Sequence, residues 1–450
     1  MLRFGTDGVR GDADADLTTP LIVAFGRAAA RVLGAQTFLI GRDTRESGPR
    51  IEADLGRGLA AEGANVVALG VAPTPAIAFL AQRAGAPAAI VSASHNPWND
   101  NGVKLIGADG RKLGDEAEAA IEAELLALIA QPGAQAASES RSTADAVTPV
   151  RDLDAYLEHL LAALDGRSLR GLRVVIDCAN GAASDMGPRA LRGAGAEVEV
   201  LHATPDGRNI NDGCGSTDPS ELQRLVVERG ADLGLALDGD ADRVVAVDEH
   251  GELVDGDQIM VMTALDWHER GMLRNDAIAV TVMSNLGLRR ALATAGVAIV
   301  ETPVGDRSVT AAMAERDLAI GGEQSGHIVF ADLATTGDGV LTGLIVCDLV
   351  ARHGAALSTL AAAMIRLPQV LVNVRLERKV DLAAELGVLD AVRTVEAELG
   401  DRGRVLVRSS GTEPVLRVMV EAPTPAEAEA SAARIVTAIE QVEKEPPSGS

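Results

Sequence analysis

Short apolar runs alternate with amphipathic stretches along most of the chain. Residues 37–40, residues 65–69 and Ala88–Val91 have the length and composition of buried strands. Residues 49–62 and Asp115–Ala130 lie between and after them, and they show the apolar spacing and Ala/Glu/Leu content of helices. Such alternation predicts an α/β layer architecture with a parallel or mixed sheet, in which ligands bind at loops beyond the strand ends.

The same rhythm continues towards the C-terminus. A second unit is predicted from helices at 152–164 and 218–229 and from strands at 173–176, 233–237 and 244–248. A third is predicted from strands at 277–282 and 297–301 around a helix at 287–295. The pattern changes near Leu367, where a last unit of about 80 residues begins, with a strand at 404–407. At roughly 150 residues per domain, the 450 residues predict three or four domains.

Composition excludes several classes of partner. The formal net charge is −24, which argues against binding nucleic acid or an anionic membrane surface. The three cysteines, Cys178, Cys214 and Cys347, have no metal-ligand spacing and suggest no disulfide framework. No signal-peptide pattern opens the chain, and no uncharged apolar run reaches the roughly 18 residues of a membrane span. We therefore expect a soluble, cytoplasmic protein.

A serine stands in the turn after Ala88–Val91, where the chain reads Ser-Ala-Ser-His-Asn-Pro over residues 92–97. A serine hydroxyl needs activation to act as a nucleophile, and phosphoryl transfer needs positioning and charge neutralisation. Lys104 follows in the same polar segment and offers positive charge. Ser94 is thus a candidate phosphate carrier, although Ser94 and Asn96 would also suit a purely structural turn.

Three alternating carboxylates follow the next strong strand signal, in the sequence Asp-Gly-Asp-Ala-Asp-Arg at residues 238–243. They can converge on one hard cation, and three carboxylate oxygens with a phosphate oxygen suit Mg²⁺. An EF-hand is disfavoured, because its sixth position would be Arg243 instead of Gly and a strand follows. The simpler alternative is a solvated acidic turn.

Two further loops carry groups suited to a sugar phosphate. In Gly-Gly-Glu-Gln-Ser-Gly-His, at residues 321–327, Glu323 can accept hydrogen bonds from sugar hydroxyls and His327 titrates near neutrality. In Arg-Ser-Ser-Gly-Thr-Glu, at residues 408–413, an arginine, hydroxyls and backbone amides form an anion cradle, to which Arg417 adds a second guanidinium. Each could be an ordinary polar turn, but all four loops fit one phosphate reaction.

These loops, in this order along the whole chain, resemble the serine, metal, sugar and phosphate loops of the α-D-phosphohexomutase superfamily. The opening Phe-Gly-Thr-Asp-Gly-Val-Arg-Gly at residues 4–11 and the Gly-Glu-Gln-Ser-Gly-His loop resemble the branch that acts on an amino-sugar phosphate. Branches that act on mannose or glucose phosphates usually carry Met where this chain has Gln324. The chain departs from the family at Ser409, where Pro is common, and at Ser308, where this branch has Tyr.

The resemblance implies an α/β fold of four domains around a central cleft, three of them related α/β domains with mixed sheets and the last a smaller α+β domain. The implied domains are 1–149 with the serine loop, 150–250 with the metal loop, 251–366 with the sugar loop and 367–450 with the phosphate loop. The tail from about residue 445 is expected to be disordered.

The resemblance also implies the chemistry. Phosphorylated Ser94 would convert glucosamine 6-phosphate into glucosamine 1-phosphate through glucosamine 1,6-bisphosphate, which also serves as primer, and would so supply UDP-N-acetylglucosamine synthesis. One Mg²⁺ would be held by the phosphate on Ser94 and by Asp238, Asp240 and Asp242. The implied catalytic groups are Ser94, Lys104, His327 and Arg10, with the general base left open. The implied substrate-binding groups are Glu323, Ser325, Arg408, Ser410, Gly411, Thr412, Arg417 and Arg243.

Three other functions stay open at this point. A phosphomannomutase/phosphoglucomutase is the alternative within the same family. A phosphatase that discharges phosphoserine to water is disfavoured by the lack of a two-zinc His/Asp constellation. A sugar-phosphate sensor without catalysis is disfavoured because all the reactive groups are present. The sequence leaves both a monomer and a homodimer open.

Overall fold

The computed structural model describes residues 8–130, 147–149, 153–376, 386–409 and 415–444. Packing divides the chain into two compact units. The first comprises Met1–Met283 and Val297–Ala363, and the second comprises Ser284–Gly296 and Met364–Ser450. Within the described parts of the chain, no helix is both long enough and apolar enough to cross a membrane.

The first sheet has six strands in the order β1-β5-β4-β2-β3-β6. Its strands are β1 Val9–Asp12, β2 Thr37–Arg42, β3 Asn65–Val71, β4 Ala88–Val91, β5 Asp100–Ile106 and β6 Val147–Pro149. The neighbouring helices are α1 Thr19–Leu33, α2 Gly48–Ala61, α3 Thr74–Ala84 and α4 Asp115–Ala130. Strand β4 is buried along its whole length, as its Ala-Ala-Ile-Val sequence predicts for a central strand.

The second sheet has five strands in the order β11-β10-β9-β7-β8. Its strands are β7 Arg173–Asp177, β8 Glu197–Leu201, β9 Leu233–Leu237, β10 Val244–Val247 and β11 Leu253–Val254. Its helices are α5 Asp154–Ala162, α6 Met186–Gly193 and α7 Ser220–Arg229. Strands β9 and β10 are buried throughout, so the residues between them emerge directly from the core.

The third sheet has four strands in the order β13-β12-β14-β15. Its strands are β12 Ala277–Thr281, β13 Ala298–Thr302, β14 Ile320–Gly322 and β15 Ile328–Phe330. The helices in this part of the chain are α8 Gly256–Glu269, α9 Leu286–Ala295, α10 Asp306–Arg316, α11 Gly339–His353 and α12 Leu357–Ala361. Helix α8 begins with a capping box between Asp255 and Gln258, which satisfies its first backbone amides.

The second unit contains a smaller antiparallel sheet in the order β16-β18-β17. Its strands are β16 Gln369–Arg375, β17 Arg404–Ser409 and β18 Val415–Glu421, and its other helices are α13 Leu386–Leu399 and α14 Pro425–Lys444. Helix α9 also belongs to this unit. Asn285, which caps α9, exchanges hydrogen bonds with the backbone of Leu367 at 3.0 Å.

The same type of strand connection occurs in each of the first three sheets. In each, a parallel strand is followed by an antiparallel neighbour: β4 by β5, β9 by β10 and β14 by β15. The serine loop, the acidic loop and the Glu-Gln-Ser-Gly-His loop occupy these three turns in turn. Polar groups are therefore carried on the equivalent turn of each of the three sheets.

The architecture implied by the resemblance, three α/β domains with mixed sheets and a smaller C-terminal domain, is confirmed. One local prediction was wrong: Gly321 and Gly322 belong to β14 and not to the following loop. The absence of side chains lets this strand lie close to Met313 and β15, since a Cβ on Gly321 would be 2.5 Å from the Met313 sulfur. The predicted tail from residue 445 lies outside the described residues.

Candidate active site

Ser94 lies at the start of the turn between β4 and β5 and is buried. Its backbone adopts a left-handed conformation with φ of 52°, which is uncommon for a residue with a side chain. The hydroxyl Oγ donates a hydrogen bond to Asp238 Oδ2 at 2.6 Å, although the two residues are 144 positions apart. The serine predicted as a phosphate carrier thus touches the acidic loop directly.

Three acids of the second sheet form a compact group. One carboxylate oxygen from each of Asp238, Asp240 and Asp242 can be chosen so that all lie within 4.8 Å of one another, and all three residues are buried. Burial and the charges of the other two carboxylates raise the pKa of Asp238. Among the described residues, Oδ1 of Asp240 and Oδ1 of Asp242 have no hydrogen-bond partner. Converging buried oxygens with unsatisfied lone pairs fit a hard divalent cation.

Lys104 approaches this acidic group from β5. Its Nζ lies 2.9 Å from Asp240 Oδ2 and 4.0 Å from Asp242 Oδ2. Thr74 Oγ1 donates to the same Asp240 oxygen at 2.7 Å. Burial alone would raise the pKa of Asp240, but the ammonium of Lys104 and the hydroxyl of Thr74 lower it. Lys104 therefore holds positive charge against two of the three acids.

His327 closes the other side of the acidic group. Its Nδ1 lies 3.5 Å from Asp242 Oδ2, and the backbone amide of Gly337 donates to its Nε2 at 3.1 Å. An Nε2 that accepts a hydrogen bond leaves the ring proton of the neutral form on Nδ1, where it faces Asp242. The imidazole is buried, and its Nε2 is also 3.8 Å from Asp306 Oδ2. Both ring nitrogens thus have polar neighbours.

Arg243 ends the acidic loop and connects it to the serine loop. Its backbone amide donates to Asp238 Oδ1 at 3.2 Å, and its Nη1 lies 3.4 Å from His95 Nδ1. His95 Nδ1 is also 3.5 Å from Ser94 Oγ. Burial, and then the charges of Arg243 and Arg10, lower the pKa of His95, so the ring tends to be neutral. Arg10 lies on β1, opposite Gly102 of β5.

The loop from Glu323 to His327 is fixed by its neighbours. Glu323 Oε1 accepts a hydrogen bond from the amide of Gly305 at 3.1 Å, while Ser325 is exposed. Gln324 Nε2 donates to Asp255 Oδ2 at 3.4 Å, at the N-terminus of α8. Gly326 has φ of 89° and packs on β10, where an added Cβ would lie 2.0 Å from the carbonyl oxygen of Val244. The loop therefore has a defined shape, with Ser325 at its surface.

The second unit holds part of the predicted anion cradle. Arg408 and Arg417 are directly opposite each other on β17 and β18. Burial and the charge of Arg417 lower the pKa of Arg408. Among the described residues, Nε of each guanidinium is buried without a hydrogen-bond partner. Two adjacent guanidiniums with unsatisfied donors suit a dianion. The other predicted cradle residues, Ser410, Gly411 and Thr412, lie outside the described residues.

The structure thus brings together Ser94, the three acids, Lys104, His327 and Arg243. Three further contributors were not selected from the sequence: His95 beside the Ser94 hydroxyl, Thr74 on Asp240, and Asp306 beside His327. His95 stands in the serine motif and could have been chosen on that ground. Thr74 is the first residue of α3 and is followed by a proline. A threonine in this position ordinarily indicates only the N-terminus of a helix, so the sequence offered no reason to select it.

Comparison with known families gives matches along most of the chain. The alpha/beta/alpha domains I, II and III described as phosphoglucomutase/phosphomannomutase match residues 1–131, 154–251 and 255–367. The C-terminal domain of the same description matches residues 371–438.

Individual proteins are also similar to this chain over nearly its full length. A phosphoglucosamine mutase of Frankia casuarinae is 51% identical over 98% of this chain and 98% of its own length. A phosphoglucosamine mutase of Corynebacterium jeikeium is 47% identical over 98% of this chain and 99% of its own length. The crystal structure of a phosphoglucomutase/phosphomannomutase family protein from Burkholderia thailandensis, 24% identical, covers 99% of this chain and 98% of its own with a TM-score of 0.79.

Proposed function

Since the chain belongs to the phosphoglucomutase/phosphomannomutase family, we propose that it interconverts glucosamine 6-phosphate and glucosamine 1-phosphate, with Ser94 as the phosphate carrier. The observation that carries the proposal is the hydrogen bond of 2.6 Å between Ser94 Oγ and Asp238 inside a buried acidic group. The full-length relatives named phosphoglucosamine mutase support the choice of an amino-sugar substrate. The product would serve the synthesis of UDP-N-acetylglucosamine.

The reaction has two phosphoryl transfers. In the first, the bond between phosphorus and Ser94 Oγ breaks while a bond to O1 of glucosamine 6-phosphate forms; the proton of the O1 hydroxyl leaves, and Ser94 Oγ takes up a proton. This gives glucosamine 1,6-bisphosphate. In the second, Ser94 Oγ attacks the phosphorus at position 6, loses its proton and leaves O6 to be protonated. The sugar departs as glucosamine 1-phosphate, and Ser94 is phosphorylated again.

The acidic group would hold one Mg²⁺ through Asp238, Asp240 and Asp242, with an oxygen of the phosphate on Ser94. When bound, Mg²⁺ supplies positive charge that offsets the charge on the transferred phosphoryl group. The Oδ1 oxygens of Asp240 and Asp242, which accept no hydrogen bond from the described part of the chain, support this assignment.

The contacts also support different roles for the three catalytic candidates. Arg10 cannot lose its proton in a protein, and the ion pairs of Lys104 with Asp240 and Asp242 favour its charged form. Both residues therefore suit charge stabilisation better than proton removal. His327 donates towards Asp242 and accepts from Gly337, which suits orientation of a ligand of the cation.

Substrate recognition is assigned to the two remaining loops and to Arg243 at the end of the acidic loop. Glu323 and Ser325 would contact sugar hydroxyls, and Arg243 would contact a phosphate. Arg408, Arg417 and the segment with Ser410, Gly411 and Thr412 would hold the phosphate that does not react. The adjacent guanidiniums of Arg408 and Arg417 support this role. Gln324 contacts Asp255, so any effect of Gln324 on sugar preference would act through the shape of the loop.

The test is a mutase assay with Mg²⁺ and a trace of the corresponding 1,6-bisphosphate. The kcat/KM values for glucosamine, glucose and mannose 6-phosphates are compared. We expect a clear preference for the glucosamine substrate. Equal or faster turnover of glucose or mannose phosphates would instead assign the chain to the phosphomannomutase/phosphoglucomutase branch. Release of inorganic phosphate in place of sugar 1-phosphate would indicate a phosphatase.

A further inference from the structure

The backbone carbonyls of Ser94 and Asn96 receive hydrogen bonds from two side chains. Arg45 is fully buried, and its Nη2 donates to the carbonyl of Ser94 at 3.2 Å and to that of Asn96. Nδ2 of Asn211 donates to the same two carbonyls at 2.9 and 3.1 Å. Four donated hydrogen bonds on two carbonyls fix the turn that presents the Ser94 hydroxyl.

Arg45 ties this turn to its own sheet. Its guanidinium pairs with Asp43, just beyond the end of β2. The same carboxylate accepts a hydrogen bond from Ser92 Oγ at 2.6 Å, and the Ser94 amide donates to Ser92 Oγ at 2.9 Å. These contacts stay within the first sheet, so they hold the serine loop in place without relating it to the acids.

Asn211 is different because it comes from the second sheet, in the segment between β8 and α7. Its backbone amide donates to the carbonyl of Ala179 at 3.0 Å. Farther along, the amide of Gly215 donates to Asp177 Oδ2 at 2.9 Å, at the end of β7. Strand β7 pairs with β9, the strand that leads into Asp238. Asn211 therefore connects the serine loop to the sheet that carries the acidic group.

The anchor of this segment resembles a metal site but is satisfied without a cation. Ligand atoms of Asp177, His202 and Cys214 lie within 4.8 Å of one another. Asp177 already accepts hydrogen bonds from Ala179, Gly215 and His202 at 2.9, 2.9 and 3.0 Å. Its carboxylate thus fastens the turn, whereas oxygens of Asp240 and Asp242 lack hydrogen-bond partners among the described residues.

The approach of Asn211 is close and directional. Gly239, between two of the acids, lies against both groups: an added Cβ would be 2.6 Å from the Ser94 carbonyl oxygen and 2.8 Å from Asn211 Nδ2. Asn211 has φ of 57°, a conformation that asparagine tolerates better than most residues. Only the NH₂ end of its amide can face two carbonyls. The serine loop, the acidic loop and Asn211 therefore contact one another directly.

We propose that Asn211 is a positioning residue that keeps the Ser94 hydroxyl in register with Asp238 for phosphoryl transfer. This inference rests on the proposed mutase function. Because Asn211 acts on the backbone of Ser94, its loss should change the chemical step. Sugar binding, and cation binding by the three carboxylates of the unphosphorylated protein, should be preserved, since the hydrogen bonds of this amide go to the backbone carbonyls of Ser94 and Asn96.

The test replaces Asn211 by Asp, which keeps the size but turns both donors into acceptors facing carbonyls. Displacement of a reacting group by about 1 Å can cost on the order of 10²-fold in rate, so we expect kcat to fall by about that factor. The KM for glucosamine 6-phosphate should stay within about threefold. The rate at which glucosamine 1,6-bisphosphate phosphorylates Ser94, followed by intact mass, should fall with kcat. The Mg²⁺ affinity, measured by calorimetry, should stay unchanged.

The matched control is Asn209→Asp in the same segment. Asn209 Oδ1 accepts a hydrogen bond from the amide of Asp206 at 3.0 Å, which an aspartate can keep, and its Nδ2 donates to the carbonyl of Thr204 at 3.2 Å, so the substitution removes a donor in the same segment away from Ser94. This variant should retain kcat within about twofold. If Asp at position 211 prevents folding, Asn211→Ala removes the donors without adding charge, and about a tenfold loss is expected because Arg45 still binds both carbonyls.

Two results would overturn the proposal while the wild-type chain shows mutase turnover. One is a wild-type kcat and phosphorylation rate in the Asn211 variants. The other is a parallel loss of kcat, Mg²⁺ affinity and thermal stability, which would indicate general damage. Absence of turnover in the wild-type chain would refute the proposed function instead.

Discussion

Two groups of buried acids in the first unit differ in how much positive charge the chain places around their carboxylates. Between α8 and α11, Asp266 accepts hydrogen bonds from Arg352 at 2.7 and 3.0 Å, from Arg270 at 3.0 Å and from His353 at 3.0 Å. Asp348 pairs with the same Arg352 at 2.9 Å. Burial alone would raise the pKa of Asp266, but these cationic partners lower it. The chain here supplies the positive charge that its own carboxylates need.

The acids between β9 and β10 are not matched in this way. Three carboxylates share Lys104 and Arg243 as the nearest basic side chains of fixed charge, and two of their oxygens lack hydrogen-bond partners among the described residues. The pKa of Asp238 is accordingly raised by burial and by its two acidic neighbours. The difference teaches how to separate a structural ionic network from a candidate cation site: only the second leaves buried carboxylate oxygens without hydrogen-bond partners among the described residues and an acid with a raised pKa.

The largest expected difference is in activity. Asp238→Asn should lower the Mg²⁺-dependent kcat by about 10³-fold, because it removes a carboxylate from the acidic group and the acceptor of the Ser94 hydroxyl. Asp266→Asn changes the same chemical group at the other site and should keep kcat within about twofold. Steady-state assays over a range of Mg²⁺ concentrations measure both. An Asp238 variant with a wild-type Mg²⁺ titration would remove the basis for the comparison.

The same two variants should change stability in the reverse order. Removal of one partner from a buried ionic network typically costs about 3 kcal/mol, so Asp266→Asn should lower the free energy of unfolding by roughly that amount. Asp238→Asn relieves repulsion among three carboxylates and should cost nothing in protein without Mg²⁺. Urea unfolding in EDTA measures both values. A greater loss for Asp238→Asn than for Asp266→Asn would show that the acidic group is itself a stabilising network.

Added Mg²⁺ sharpens the comparison further. A ligand that binds only the folded state stabilises it by about 2.7 kcal/mol at 100 times its Kd. The wild type and Asp266→Asn should both gain this increment, whereas Asp238→Asn should gain much less at the same Mg²⁺ concentration. Thermal unfolding with and without Mg²⁺ provides the measurement. Equal stabilisation of all three proteins would locate the cation elsewhere.

The sequence allows candidate groups for this site to be selected for a physical reason. Ser94, the acids of the metal loop and His327 each stand in a loop directly after a buried strand, so local pattern identifies them. The contacts that hold these groups in place are made by residues far apart in the sequence. Thr74 and Asp240 are 166 residues apart, and Asn211 and Ser94 are 117 residues apart. Such contacts depend on how separate sheets pack, which the apolar pattern of each sheet does not contain.

In the fold, too, local features could be predicted from the sequence and long-range features could not. Strand positions follow from short apolar runs, and all nine predicted strands were found within two residues of the predicted ends. The repeated parallel-then-antiparallel step at β4–β5, β9–β10 and β14–β15 could not be predicted, because strand direction is set by pairing partners. Helix α11 was missed, since its buried sequence has apolar residues on all sides and lacks a helical polar face.

Asp338 provides an intermediate case and the smallest expected effect. It is buried like Asp266 but has neutral partners: Tyr156 Oη donates to it at 2.7 Å and the amide of Leu341 at 2.9 Å. Burial raises its pKa to about 6 in spite of these hydrogen bonds. Neutral donors therefore reduce the free-energy cost of the buried charge without cancelling it. In this respect Asp338 is intermediate between Asp266 with its cationic partners and the acids between β9 and β10.

A raised folded-state pKa means that the folded protein binds more protons than the unfolded chain between about pH 4 and pH 6. This carboxyl should therefore stabilise least when it is ionised: its contribution falls as the pH rises through that window, by at most about 1.4 kcal/mol per pH unit, and is constant above it. Asp338→Asn keeps an oxygen to cap α11 and removes the titration. The free energy of unfolding of the wild type, minus that of the variant, should decline from pH 4 to pH 6. A difference that is flat or rises with pH would mean that the two neutral donors match the arginines around Asp266, and the charge of the partner would then no longer explain the contrast between the two acidic groups.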